Sequence, residues 1–210
     1  MIDQLIYKYK NLKKQSFLNA GESYSSDYAF VGVGGHSISN LYPVIDFLRI
    51  PLKYIVTRNG ENAIKMASRY VNCKGTSDLN EVLNDNKVKG VFVSTNPTSH
   101  FEIVKQCLQK GKNVFVEKPP CLTSSELEEL LKLESPTAKV VVGFQKRYST
   151  IAKILKKRLK KESVKSYNLK FCTGAYPEGD SILDLFIHPL DLIIHLFDDV
   201  VNLKGFVTET

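Results

Sequence analysis

The sequence predicts an α/β protein in which a doubly wound parallel sheet precedes a partial α/β domain with an open sheet. Apolar, β-branched runs such as YAFVGVG (28–34) and VKGVFVST (88–95) alternate with amphipathic segments of helical period. That alternation is typical of a parallel sheet covered by helices on both faces. The first run ends in glycines directly before a helix, and the alternation stops near residue 145.

The elements of this sheet follow one another closely along the chain. The first predicted helix, 37–49, presents one apolar face, made by Ile38, Leu41, Val44, Ile45 and Leu48. Ser77 and Thr123 are residue types that cap helix N-termini, and Glu126 completes a capping box with Thr123. The predicted strands are 28–34, 52–56, 88–95, 113–119 and 139–144, and the remaining helices of this region are 62–70, 77–85, 99–111 and 124–133.

Three regions are predicted along the chain. Residues 1–27 form an N-terminal helix (2–14) and a linker (19–27), and residues 28–145 form the domain with the parallel sheet. Residues 146–210 form a truncated α/β domain. Its predicted helices are 148–160 and 182–197, and its predicted strands are 164–172 and 200–208.

The composition is that of a globular protein. Hydrophobic residues make up 43% and charged residues 24% of the 210 residues, and no apolar run reaches the ~18 residues of a membrane span. The N-terminus lacks the apolar core of a signal peptide. The 4 cysteines show neither paired nor zinc-binding spacing, so a reduced, cytoplasmic protein without a metal is expected.

The net charge of +7 raises the question of an anionic partner. The densest basic segment is KKRLKK (156–161), at the end of a predicted helix, where the helix dipole favours positive side chains. No aromatic residue interleaves this segment, as a platform for single-stranded nucleic acid would require. We interpret the segment as a solvated basic face and expect no nucleic-acid partner.

The first candidate site is the turn from Gly32 to Ser37, between the first strand and the first helix. Gly32 permits a sharp turn, Gly34 lets the backbone approach a pyrophosphate, and the helix N-terminus would hold the phosphates. Ser37 stands at the third glycine of a GxGxxG motif, where a small residue still allows close packing. With Gly35 and His36, these residues are predicted to bind a dinucleotide, whereas the alternative is an ordinary glycine turn.

The end of the second strand bears on the choice between NAD and NADP. NAD sites usually carry Asp or Glu there for the ribose hydroxyls, whereas this chain reads Thr57, Arg58 and Asn59 and reaches a carboxylate only at Glu61. These three residues could instead hold a 2′-phosphate, so NADP is favoured over NAD. The alternative is that Arg58 is an exposed turn residue.

The second candidate site is the segment Glu117-Lys118-Pro119-Pro120 at the end of a predicted strand. Doubly wound sheets bind their ligands at the carboxyl ends of the strands. A lysine there can polarise a substrate hydroxyl and lower the pKa of a neighbouring base. By spacing alone, the segment is also that of a strand followed by a rigid turn.

The third candidate site is a polar stripe on the last predicted helix. Spacings of 4, 3 and 4 place Asp184, His188, Asp191 and His195 on one face of an otherwise apolar segment. His188 is favoured as a general acid–base, because the ordinary pKa of histidine lies near neutrality. A metal site, or a structural histidine in the core at His195, is the alternative.

Together these motifs resemble the glucose-fructose oxidoreductase/inositol dehydrogenase/rhizopine-catabolism (Gfo/Idh/MocA) family. The resemblance rests, in chain order, on VGVGGHS, STNPTSHFEIVKQCLQKGKNVFVEKPP, VVGFQKRYS and DLFIHPLDLIIHLF, and covers about residues 28–205. It implies a Rossmann domain followed by an α/β domain with a large open sheet. Family members are normally longer, and this chain stops where the second sheet has barely begun.

The resemblance also implies roles for individual residues. Lys118 would be the lysine beside the nicotinamide, and Asp184 and His188 would form an Asp-x-x-x-His pair that faces the substrate. Arg147 lies in a junction motif that often borders the substrate. The other residues implied at the border of the cofactor are Thr95, Asn96, His100 and Glu117.

The sequence thus predicts a cytoplasmic oxidoreductase of carbohydrate metabolism that uses NADP or NAD. As the resemblance implies, it would transfer a hydride between the nicotinamide and a hydroxyl or carbonyl carbon of a sugar, cyclitol or sugar nucleotide. His188 would move the hydroxyl proton, Lys118 would stabilise the developing alkoxide, and Asp184 would orient the pair. The alternative is a regulatory or scaffold protein that binds the dinucleotide without turnover. A homo-oligomer, a dimer or higher, is expected to cover the open sheet.

Overall fold

The computed structural model describes residues 4, 6–7, 10–11, 24–161, 164, 166–172 and 182–198. The chain divides into two compact units, residues 1–141 and 142–210. The described residues of the predicted N-terminal helix (2–14) are helical, whereas most of the predicted linker (19–27) lies outside the described residues.

The first unit is built on a six-stranded sheet. Its strands are β1 (Asp27–Val31), β2 (Leu52–Val56), β3 (Lys74–Thr76), β4 (Val88–Val93), β5 (Asn113–Val116) and β6 (Val140–Val142). They lie in the order β3-β2-β1-β4-β5-β6, and β1 pairs in parallel with both β2 and β4. This is the strand order of the Rossmann fold, so the predicted fold class is confirmed for this unit.

Five helices of this unit connect the strands. They are α1 (Tyr42–Leu48), α2 (Gly60–Ala67), α3 (Leu79–Leu83), α4 (His100–Gln109) and α5 (Ser124–Leu133). The predicted capping box of Thr123 and Glu126 is confirmed at α5. The predicted cap at Ser77 is wrong: because β3 extends to Thr76, α3 begins later, and Asp78 accepts the N–H of Asn80 instead.

β3 is a strand that the sequence analysis does not identify, since three residues are too few to show a period. Gly75, at its centre, lies against the backbone of α2. A Cβ on Gly75 would lie 2.4 Å from the carbonyl carbon of Ala63. Only glycine therefore lets this helix pack so closely on the strand.

The first helical segment begins with a π-helical turn, Ser37–Leu41, which precedes α1. This wider turn shifts the face that the helix presents to the sheet, since the 3.6-residue period does not hold across it. The buried residues are Ser37 in this turn and Tyr42 and Ile45 in α1. The predicted apolar face is therefore wrong at three exposed residues, Ile38, Val44 and Leu48.

The core on this side of the sheet forms around Phe30 of β1. Its ring stacks on that of Tyr42, with centroids 4.2 Å apart. The other buried members of this cluster are Ile45, Leu52, Ile55 and Ala67. Together they fasten α1 and α2 to the central strands and so position the turns at the strand ends.

Beyond Val142, the regular secondary structure in the described part of the second unit is helical. It comprises a 3-10 turn (Gln145–Tyr148), α6 (Thr150–Leu159), a π-helical turn (Ile182–Phe186) and α7 (Ile187–Phe197). The two predicted helices are confirmed. Residues 164 and 166–172, within a predicted strand, have irregular backbone. A strand needs a hydrogen-bonded neighbour, and the predicted strand 200–208 lies outside the described residues, so the second sheet stays a prediction.

Candidate functional site

The candidate site lies at the carboxyl ends of β1, β4 and β5. The chain leaves β1 and β4 in opposite directions across the sheet, which opens a crevice between the two strand ends. Just beyond the three strands, the N–H groups of Gly32, Ser94 and Glu117 each donate to a carbonyl of a neighbouring strand, over 2.8 to 2.9 Å. The segments that follow these strands are therefore held side by side.

Gly32 is required by the fold itself. Its φ is +116°, and a Cβ there would lie 2.0 Å from the carbonyl oxygen of Ser94. Both conditions restrict the position to glycine. Its own carbonyl accepts a hydrogen bond from the hydroxyl of Tyr42 over 3.1 Å, and burial raises the pKa of that hydroxyl.

Gly34 and Gly35 differ from Gly32, because no protein atom requires them to be glycine. Neither has the positive φ of Gly32, and a Cβ on either would meet no atom within 4 Å. They lie where the chain enters its first helical turn, and N–H groups at a helix start favour an anion. A pyrophosphate fits this cradle, since a side chain at Gly34 would fill the space through which phosphates approach the backbone.

The side chain of Ser37 is engaged inside the protein. It is 1% exposed, and its hydroxyl lies 3.0 Å from the hydroxyl and 3.2 Å from the carbonyl oxygen of Ser94. This contact fastens the start of the helix to the end of β4. A cofactor contact by the Ser37 side chain is therefore not supported, whereas its small size serves the close packing that the motif requires.

The segment after β2 carries one positive charge. Thr57 continues the sheet by donating its N–H to the carbonyl of Thr76 over 3.2 Å. Asn59 caps α2 by accepting two N–H groups of its first turn with its side-chain oxygen. Arg58 is exposed between them, and Glu61 follows in the first turn of α2. Of the three predicted 2′-phosphate ligands, Arg58 is thus the one with a charge to offer.

The loop after β4 is held by its own hydrogen bonds. The side-chain oxygen of Asn96 accepts the N–H and the hydroxyl of Thr98, over 3.0 and 2.8 Å. The hydroxyls of Thr95 and Ser99 lie 2.8 Å apart. These hydrogen bonds stabilise the conformation of the loop, and its predicted contacts with the cofactor stay a prediction.

His100 joins two of the segments at this edge. It is 1% exposed, with Nδ1 2.7 Å from the carbonyl oxygen of Pro119 and Nε2 3.2 Å from that of Thr95. The side chain therefore ties the turn after Lys118 to the loop after β4. The structure gives His100 a positioning role within the protein, where the resemblance implies a residue that borders the cofactor.

Glu117 and Lys118 follow β5 and are half-buried. Nε2 of His36 lies 3.5 Å from a carboxylate oxygen of Glu117, so the glycine turn and this segment meet. The peptide bond between Lys118 and Pro119 is cis. No local sequence signal predicts this contact, because His36 and Glu117 are far apart along the chain.

In the second unit, Asp191 holds Arg147. Nε of Arg147 lies 2.8 and 2.9 Å from the two carboxylate oxygens, and Nη2 also contacts the carboxylate. Asp191 is 6% exposed, and a buried carboxylate needs such a partner. Its hydrogen bond raises the pKa of Arg147. The predicted substrate residue thus already has a carboxylate partner, which the sequence analysis does not assign to it.

Asp184 and His188 stand at the start of the polar stripe. Asp184 belongs to the π-helical turn and His188 to the first turn of α7, and both are half-buried. The π-helical turn changes the spacing between them, so the regular period applies only within α7. Lys118 belongs to the first unit and this pair to the second, and their predicted convergence stays a prediction.

Two points from the sequence analysis concern metals and membranes. Across the ranges that the structure describes, no three His, Cys, Asp or Glu side chains converge as metal ligands. No described helix is both long enough and apolar enough to cross a membrane.

The strand order and the glycine turn at the β1/β4 crevice define a Rossmann protein of the dinucleotide-binding class. Residues 27–144 match the model of the Gfo/Idh/MocA family, described as an oxidoreductase family with an NAD-binding Rossmann fold. This match covers more than half of the chain, and the chain belongs to that family. The resemblance drawn from the sequence is confirmed.

Curated relatives include both named and uncharacterised oxidoreductases. The chain is 34% identical over 145 residues to the uncharacterized oxidoreductase YhhX of Escherichia coli (strain K12), covering 63% of this chain and 42% of YhhX. It is 26% identical over 141 residues to the myo-inositol 2-dehydrogenase of Thermotoga maritima, covering 61% and 42%. The chain spans about half the length of the curated relatives it matches.

Solved structures share the fold at low sequence identity. KijD10, a 3-ketoreductase from Actinomadura kijaniata in complex with TDP-benzene and NADP, gives a TM-score of 0.70 at 16% identity, covering 83% of this chain and 57% of KijD10. The WlbA dehydrogenase from Thermus thermophilus, in complex with NAD and α-ketoglutarate, gives 0.68 at 19%, covering 84% and 64%. These two likenesses concern the fold alone.

Proposed function

We propose that the chain is an NAD(P)-dependent oxidoreductase acting on a hydroxyl or carbonyl carbon of a sugar, cyclitol or sugar nucleotide. The observation that carries the proposal is the pair Gly34 and Gly35 in the β1/β4 crevice, where glycine serves no need of the protein's own packing. A pyrophosphate that approaches the backbone there would require glycine at these positions, because a side chain would block its approach. The family to which the chain belongs supports hydride transfer as the reaction.

NADP is the proposed cofactor, ahead of NAD. The support comes from Arg58, which is exposed beside the cap of α2. A guanidinium can hold a 2′-phosphate through two parallel hydrogen bonds. An NAD site would carry instead a carboxylate for the ribose hydroxyls, and Thr57 to Asn59 supply none.

The proposed catalytic residues are Lys118, Asp184 and His188. When bound, the nicotinamide supplies the hydride acceptor at C4. During oxidation of a carbinol, His188 takes the hydroxyl proton and Lys118 donates to the oxygen on which negative charge develops. Asp184 orients His188 and Lys118. His100 supports Lys118 by holding the carbonyl of Pro119, the next residue.

A cytoplasmic location and a homo-oligomer complete the proposal. The four cysteines are free thiols, which suits a reducing compartment. The oligomer, most simply a dimer, would cover the open sheet expected in the second unit. Measuring the mass of the protein in solution at high concentration tests this part, and a strictly monomeric species would contradict it.

A titration with NADPH and NADH tests the cofactor. NADPH is expected to bind more tightly than NADH. Arg58→Ala should reduce the ratio of the two affinities by about tenfold, which is the effect of losing one charge-assisted contact. Arg69→Ala is the matched control, since Arg69 is also exposed and lies near the other end of α2. Tighter binding of NADH, unaffected by Arg58→Ala, would contradict the choice of NADP.

A turnover assay separates an enzyme from a dinucleotide-binding regulator. The protein is incubated with NADP⁺ or NAD⁺ and a panel of sugars, cyclitols and sugar nucleotides, and reduction of the nicotinamide is followed by its absorbance. Turnover with a member of this panel is expected. Tight binding of the dinucleotide without turnover on any of them would favour the regulatory alternative. Absence of binding would overturn the proposal as a whole.

A further inference from the structure

A basic cavity of about 440 Å³ lies within the second unit. It is lined by Arg147 and Tyr148, by His195 of α7, and by four lysines, of which three belong to α6 and the fourth is its C-cap residue. Six of these seven residues are basic, and five carry a permanent positive charge. The cavity is open to solvent, because Lys153, Lys157 and Lys160 are exposed. Its volume lies within the range of small-molecule sites.

The four lysines lie on one face of α6 and its C-cap. They are Lys153, Lys156, Lys157 and Lys160, at spacings that place them on adjacent turns of a helix. The helix dipole favours cations in the last turn but disfavours them near the start. It therefore accounts for the lysines of the last turn but not for Lys153, which is the fourth residue of α6. A solvated helix end explains only part of this face.

The opposite wall of the cavity is formed by Arg147, Tyr148 and His195. Nζ of Lys156 lies 3.4 Å from Nδ1 of His195. Burial lowers the pKa of His195, and the charges of Lys156 and Arg147 lower it further, against the opposing charges of Asp191 and Asp198. Asp191 is already engaged by Arg147. No carboxylate lines the cavity among the residues that the structure describes.

We infer that this cavity binds the phosphate groups of a small, multiply charged ligand such as a diphosphate-bearing metabolite. Lysine is a point-charge donor suited to phosphate, and several phosphate charges would relieve the mutual repulsion of the lysines. A groove for single-stranded nucleic acid would offer several aromatic rings for successive bases, whereas Tyr148 is the one aromatic residue of this lining. The inference does not rest on the proposed oxidoreductase function.

Inorganic pyrophosphate is the probe, titrated into the full chain by calorimetry at physiological ionic strength. Pyrophosphate could also occupy the glycine turn, so the titration is repeated in Gly34→Val, where the cavity should still bind. The double variant Lys153→Gln/Lys157→Gln removes two charges and leaves Lys156 beside His195. Its affinity is expected to fall at least about tenfold, or about 1.4 kcal/mol.

The matched control is Lys65→Gln/Lys132→Gln, which removes two exposed lysines from the last turns of α2 and α5. Its affinity should equal that of the unmodified protein. Equal losses in both double variants, or no loss in either, would overturn the inference.

Amide spectra of the unmodified chain give a second measurement that does not depend on any variant. Pyrophosphate should shift the amide signals of α6 and of His195, and unshifted signals there would overturn the inference. A single-stranded oligonucleotide of matched phosphate concentration is titrated in parallel. If it binds more tightly than pyrophosphate and loses affinity in Lys153→Gln/Lys157→Gln, the site serves nucleic acid and the small-ligand inference is wrong.

Discussion

Replacing Gly32 and Gly34 separately by alanine gives two opposite outcomes that the structure distinguishes. At Gly32 the new Cβ would lie 2.0 Å from the carbonyl oxygen of Ser94, on a backbone with φ of +116°. Backbone strain of this kind costs about 1–3 kcal/mol, and the overlap adds to it. At Gly34 the Cβ meets no protein atom within 4 Å, and alanine should stabilise the fold by about 0.4–1 kcal/mol through the unfolded chain.

The two variants are compared by chemical denaturation and by fluorescence titration with NADPH. Gly32→Ala should lose at least about 2 kcal/mol of unfolding free energy. Gly34→Ala should keep or gain stability and yet bind NADPH at least about tenfold more weakly, because its methyl group occupies the approach of the pyrophosphate. A methyl group that leaves the stability of the protein unchanged can lower NADPH affinity only if it occupies space that the ligand needs.

Two results would refute this reasoning. If Gly34→Ala binds NADPH as the unmodified protein does, the cradle does not serve a pyrophosphate and the proposed function loses its main support. If Gly34→Ala unfolds as readily as Gly32→Ala, the space around Gly34 is not open, and weakened binding there would say nothing about the cofactor.

Lys118→Ala and His188→Ala should each lower turnover by about a hundredfold or more, while NADPH affinity is retained. Steady-state kinetics measures the turnover and titration measures the affinity. Unchanged turnover in either variant would exclude that residue from the mechanism. His100→Phe removes the imidazole from beside the buried carbonyl oxygen of Pro119, so denaturation should show a loss of about 1–3 kcal/mol. A variant as stable as the unmodified protein would contradict the positioning role. Asp85 has its pKa lowered to about 2, chiefly by its hydrogen bond with Lys53. Because the charged form is stabilised in the fold, Asp85→Asn should lower the melting temperature at neutral pH, and the difference should shrink as pH falls from about 4 toward 2; a difference independent of pH would show that the carboxylate charge is not the cause.

Much of the fold could be predicted because its signals lie within a few residues. The run 52–56 reads as a buried strand and is β2 without adjustment. Thr123 and Glu126 form their capping box through neighbouring side chains and N–H groups, which spacing alone reveals. The π-helical turn Ser37–Leu41 is an exception to this local predictability. Because its pitch differs from that of an α-helix, Ile38 is exposed, although the hydrophobicity of this residue predicts burial.

Part of the candidate site could likewise be predicted from the sequence, and part could not. The glycine turn and the segment around Lys118 are recognisable from sequence, since their chemistry belongs to contiguous residues next to a strand. The contact of His36 with Glu117 and the grip of Asp191 on Arg147 join residues that are distant along the chain. No pattern of residue types specifies such pairs in advance.

The sequence by itself determined the alternation of strands and helices, the turn from Gly32 to Ser37 and the membership in a dinucleotide-binding family. Only the tertiary structure decided which of these side chains are turned inward. Ser37 and His100 are small or polar residues at the expected places, yet packing against β4 and the turn at Pro119 commits their polar atoms to the protein. A buried polar atom takes whichever partner the folded backbone brings within reach, and that partner is set by the packing of the whole sheet.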